Sequence, residues 1–150
     1  MKAKSWIIIV VIILIVGYFI YRNTTADPLD YVMSNEANVV YHIHPELEID
    51  FLGEKQVIPP QIGISARGLH VIHTHDASGE IHVESPYFHQ FYLRDFFKIW
   101  GKQFNSTCIF DACVDATHTL EFFIDGKPDT RFENLPLIDG EQIKIVFRKR

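Results

Sequence analysis

Hydrophobic and polar positions alternate along most of this chain, and changes in their period predict its elements. Trp6 to Tyr21, WIIIVVIILIVGYFIY, carries no charge and predicts a helix that is apolar on every side. Residues 23–38 mix polar and breaker residues and read as a linker. From Val39 the period falls to two. In VVYHIHPELEIDF, Ile43, Leu47, Ile49 and Phe51 alternate with His42, His44, Glu46, Glu48 and Asp50, which predicts a strand with one apolar and one polar face. Leu52 to Lys55 turns the chain, and QVIPPQIGI returns as a short strand broken by Pro59 and Pro60.

The next hairpin is VIHTHDASGEIHVES, Val71 to Ser85. A two-residue turn at Ser78-Gly79 would pair His75 with His82 and His73 with Glu84, and a four-residue turn slides the pairing but keeps the faces. Either way Ile72, Thr74, Ile81 and Val83 share the core side, and His73, His75, His82 and Glu84 share the other. An odd-length loop or a bulge would break this assignment. In FYLRDFFKIWG, Leu93, Phe96, Phe97 and Trp100 follow the i, i+3, i+4, i+7 rule, predicting one short amphipathic helix packed on the core and capped by Gly101. Two Asp-Gly turns, at Asp125-Gly126 and Asp139-Gly140, then lead through a hairpin into a last strand with Ile143, Ile145 and Phe147 inward. Strand pairs, one helix, then strands predict an α+β domain over 39–150 with a mostly antiparallel, β-grasp-like sheet; a β-sandwich with one covering helix is the alternative.

Composition changes this picture at the N-terminus and at the histidines. With 150 residues and 47% hydrophobic content the chain can bury one core. Its net charge of -5 offers no cationic stripe for phosphates, so nucleic acid is not an expected partner. KAKS before the apolar run, with interfacial Trp6, Tyr18 and Tyr21, predicts a transmembrane anchor over 1–22. Residues 6–21 would then meet the lipid bilayer, and the C-terminal domain would lie outside the cytoplasm on a single-pass cell-membrane protein. A signal peptide cleaved near Thr24-Thr25-Ala26 is the alternative. An oxidising compartment would let Cys108 and Cys113 close as a local disulfide, the other reading being a pair of soft metal ligands. Asn23 and Asn105 begin glycosylation sequons.

Six of the eight histidines fall between His42 and His82. Alternate residues of a strand point the same way, so His73 and His75, facing His82 and Glu84, can form a first shell for copper or zinc. His42 and His44 make a second pair, and a neighbouring position would add them to the site, with Glu46 or Glu48 at its edge. Asp76 is assigned to the turn, capping its amides, and His70 and His89 to structural roles. A hydrogen-bonded polar network and a pH-sensitive surface are the other readings of the cluster. Known hydrolase patterns fail on context: HTHDAS puts Asp76 one position early for a metallo-β-lactamase-like site. HIHP at His42–Pro45 lacks the serine of a deubiquitinase-like metalloprotease, because Gly53 stands there. A cupin-like His42, His44, Glu48 set lacks flanking glycines and a second motif.

Taken together, HIHPELEI, IPPQIGI, IHTHDASGEIHVESP and LRDFFKIWG resemble a family of small, largely uncharacterised extracytoplasmic domains of bacteria and archaea, often behind one membrane anchor. The likeness is close over residues 42–101, centred on an IHTHD-x-x-G-x-IHVE core, and looser through DGK and DGEQIKI. Tyr92 and Arg94 depart from it, standing where the family implies a threonine cap and a glycine. The resemblance implies the domain boundaries and the grouping of the motifs. The expectation for function is therefore an anchored copper- or zinc-binding module. The alternatives are a metal-dependent enzyme with Glu84 as base, and a metal-free interaction module on a membrane-protein partner.

Overall fold

The computed structural model describes residues 3–24, 27–34 and 38–150. Two α-helices occur among them, α1 (Ala3–Thr24) and α2 (Leu93–Trp100), with single 3-10 turns at Pro28–Asp30 and Phe132–Asn134. The strands before α2 are β1 (Val32–Met33), β2 (Tyr41–Ile43), β3 (Glu46–Phe51), β4 (Glu54–Gln56), β5 (Ile64–Ser65), β6 (Gly68–His70), β7 (Ile72–His73) and β8 (His82–Ser85). Those after it are β9 (Cys108–Ile109), β10 (Ala112–Cys113), β11 (His118–Ile124), β12 (Lys127–Pro128) and β13 (Gln142–Lys149). They form four sheets, ordered β12-β11-β13-β3-β4, β2-β8-β7, β1-β6-β5 and β10-β9.

The five-stranded sheet carries the core because its strands alternate in register. Parallel pairing of β3 with β13 sets Leu47 beside Ile143, Ile49 beside Ile145 and Phe51 beside Phe147. Antiparallel pairing of β11 with β13 continues these rows with Ile124, Phe122 and Leu120. Ile49 and Ile145 are fully buried, each contributing about 1.5–3 kcal/mol relative to an exposed side chain. α2 lays Leu93, Phe96 and Phe97 into the same core. The Phe97 ring stacks on Phe104 at 4.6 Å, and Phe104 reaches Phe122 of the sheet. Asp95 accepts the Tyr92 amide at 2.8 Å at the helix start, and Gly101, with φ 70°, ends it in the left-handed cap. Cys108 and Cys113 are disulfide-bonded across β9 and β10, a small loop that contributes about 2 kcal/mol.

These observations correct the expectation of one mostly antiparallel, β-grasp-like sheet behind a transmembrane helix, and equally that of a two-sheet sandwich. The strands divide among four sheets, and the central pair of the largest is parallel. The physical reason is that alternation assigns a face to each strand but no direction or partner. The predicted strand across Val39–Phe51 is likewise two, β2 and β3, because the chain passes at His44-Pro45 from one sheet to another.

A second correction concerns the membrane. Among the described residues no helix is long and apolar enough to cross one. The uncharged run of α1 between Lys4 and Arg22 covers Trp6 to Tyr21, and at about 1.5 Å per residue it falls short of a hydrocarbon core of roughly 30 Å. The single-pass anchor, and the cell-membrane localisation that rested on it, are withdrawn. The stretch 23–38, read as a linker, is partly built into the domain: Leu29 and Met33 are buried, and β1 pairs with β6. Thr25 and Ala26 of the cleavage motif lie outside the described residues.

Candidate metal centre

The histidines gather on the small sheet β2-β8-β7. β7 and β8 pair Ile72 with Val83 and His73 with His82, a register two residues from the one expected for a two-residue turn. An even slip keeps the faces. Ile72, Thr74, Ile81 and Val83 are accordingly all buried. The slip has its cause in another segment: Thr74 leaves the hairpin for the Pro59–Ile62 turn. Its hydroxyl donates to the Pro59 carbonyl at 2.9 Å and accepts the Ile62 amide at 3.1 Å. The loop that follows is shaped by Asp76, whose carboxylate accepts the Ser78 amide at 2.8 Å, as the turn assignment required.

β2 lies on the other side of β8, placing His42 opposite Glu84 and Ile43 opposite Val83. Five imidazoles therefore share one region: His42, His44, His73, His75 and His82. Among the described residues, two groups have potential ligand atoms within 4.8 Å of one another, His73 with His75, His82 and Glu84, and His42 with His44 and His82. All six residues selected from the sequence fall in these groups. His70 and His89 do not: the His70 Nδ1–H donates to the Leu29 carbonyl at 3.0 Å, and His89 packs edge-on against Phe91. Glu48 bonds Lys144 at 2.7 Å, away from the cluster, and Glu46 is exposed and paired in a backbone bridge with Glu80.

Each of the two inner histidines is oriented by its far nitrogen. His73 is fully buried, and its Nδ1 lies 3.0 Å from the His70 carbonyl. A carbonyl can only accept, so Nδ1 carries the proton and Nε2 keeps its lone pair. Burial pushes the His73 imidazole down to about 4, against the opposing pull of the His70 bond, so the ring is neutral at pH 7. His82 Nε2 lies 2.8 Å from a Glu80 carboxylate oxygen and must carry the proton there. Burial, and then His75 and His44, lower the His82 pKa, so its ring holds one proton and Nδ1 is bare. That Nδ1 is buried without a hydrogen-bond partner among the described residues; Glu84 Oε1 is 3.8 Å away.

The inner lone pairs converge. His73 Nε2 stands 3.2 Å from His75 Nε2, and the rings of His75 and His82 are 4.5 Å apart. Ligands at about 2.0–2.1 Å on the corners of a tetrahedron are separated by roughly 3.3–3.4 Å, so the observed spacing is near that of two nitrogens on one ion. An imidazole whose other N–H is tied to a carbonyl or carboxylate is the usual orienting arrangement behind a metal.

Two participants were missed from sequence. Glu80 was given no role, although Glu80, His82 and Glu84 stand at the period of two that marks one face. Asp139, whose carboxylate accepts the His44 amide at 2.8 Å and lies 3.6 Å from its ring, comes from the distant Asp-Gly turn and had no local signal. No protein-family model matches the chain, and neither a curated protein nor a solved structure does so.

Proposed function

We propose that this chain is a metal-binding module that holds a divalent ion, copper or zinc, on His73, His75, His82 and Glu84. The observation that carries the reading is His82 Nδ1, a buried lone pair with no partner among the described residues, in a ring whose Nε2–H is tied to Glu80 and which faces two further imidazoles. A hydrogen-bonded polar network accounts for the contact between His73 and His75 but leaves this nitrogen desolvated and unpaired, at a cost of about 1–3 kcal/mol. An ion removes that cost. Imidazole and carboxylate donors without thiolate suit both Cu(II) and Zn(II), since both cysteines are used in the disulfide. The order of first-row affinities makes Cu(II) the tighter.

The test is titration of the purified full chain with Cu(II) and with Zn(II), beside His75→Ala and His73→Ala/His75→Ala. His75 is exposed, so its single variant keeps the fold. Affinity should fall by at least about 10- to 100-fold in the single variant, since loss of even an outer-shell partner costs that much, and further in the double variant, which keeps only the His42, His44 and His82 group. Equal affinity in the three proteins would end the proposal.

A further inference from the structure

We propose that the ion reaches the inner site by way of His42 and His44, handed inward by His82, so that the two histidine groups hold one ion in turn. This rests on the metal-binding reading above. The decisive feature is that His82 belongs to both groups but has one nitrogen to give. Its Nε2–H is committed to Glu80 at 2.8 Å, and Nδ1 alone has a free lone pair. One lone pair binds one cation, so simultaneous filling of both groups would leave one of them without its third ligand.

Exposure falls from His42 and His44 through His82 and Glu84 to His73, while His75 of the inner group is itself exposed. The side chains of His42 and His44 are 49% and 36% exposed, those of His82 and Glu84 are 17% exposed, and His73 is fully buried. Ring centroids step from His42 to His44 at 4.4 Å, from His44 to His82 at 4.7 Å and from His82 to His75 at 4.5 Å. Each step is short enough for an ion to gain a new imidazole before releasing an old one. Glu84 joins the two ends: Oε1 lies 3.2 Å from His42 Nε2 and 3.8 Å from His82 Nδ1, so the carboxylate can leave His42 for the arriving ion. Only coordination bonds are exchanged, and bound water is displaced. A stop along the way speeds entry and exit together, whereas a ligand of the resting site sets the affinity.

Zn(II) and the full chain provide the test, in two parts. Native mass spectrometry with excess Zn(II) should show a single ion per chain. Two ions would overturn the transfer while leaving the inner site standing, and none would remove the metal reading itself. Stopped-flow exchange of Zn(II) with a chelating dye should show entry and exit both slowed about tenfold or more in His42→Ala/His44→Ala, the scale on which local capture raises association rates, with their ratio little moved. Rates equal to those of the unaltered chain, or a loss of affinity as large as that of His75→Ala, would overturn the transfer.

Discussion

His82 is the residue on which the site depends, and Glu80 determines what His82 can do. The carboxylate fixes the proton on Nε2, so its removal frees the ring to adopt the other tautomer and cover Nδ1 with a proton. Glu80→Ala should therefore weaken Zn(II) binding about 10- to 100-fold, as loss of an orienting partner does elsewhere. Isothermal titration checks it, with His82 itself untouched. His73 makes a different prediction, for the metal-free protein. Its imidazole titrates near 4 in the fold against 6.5 ordinarily. Above pH 6.5 both states are neutral there and stability does not depend on this group. Between pH 6.5 and 4 the unfolded chain takes up a proton that the folded one refuses, so stability falls as pH falls, by about 3 kcal/mol once the lower value is passed. Denaturant unfolding across that window should show the loss, and His73→Gln should flatten it.

At the scale of elements, the hairpin shows what a sequence can carry. The faces of Ile72, Thr74, Ile81 and Val83 were legible because a slip of two leaves side-chain parity unchanged. The register was not, because the stronger claim on Thr74 came from Pro59 and Ile62, and no local pattern records a partner in another segment. β3 and β13 show the same limit. Their inward residues were readable, yet nothing in ELEIDF announces that it runs parallel to QIKIVF. The expected anchor failed on length, because helical character and apolar content were both legible while the uncharged run was too short. The contact between the histidine loop and the central sheet was equally hidden, and it turns on Gly79. At φ 101° its carbonyl accepts the Leu47 amide at 2.9 Å, and a Cβ there would meet the Leu47 carbonyl oxygen at 2.4 Å. Gly79→Ala should cost about 1–3 kcal/mol through the unfavourable φ alone, with more from the clash. A denaturation midpoint equal to that of the parent would show that the loop does not need this approach.

For the molecule as a whole, an ion that binds only the folded chain adds to its stability. Zn(II) at a hundredfold excess over Kd should add about 2.7 kcal/mol, seen as a higher Tm that a chelator reverses. Hydrogen exchange should slow most in β7 and β8. A Tm indifferent to both metal and chelator would favour the polar network. The parallel pairing of β3 with β13 has a further consequence. Glu46 also pairs with Glu80, and the Leu47 amide bonds Gly79, so the strand that steadies the histidine loop is itself steadied by a strand encoded beyond α2 and the disulfide. While the polypeptide emerges from a ribosome, all five histidines appear before β13 can complete the central sheet. Metal is thus expected to load only after β13 has joined the central sheet, and a nascent chain stalled ahead of Gln142 should have its histidines but no assembled place for an ion.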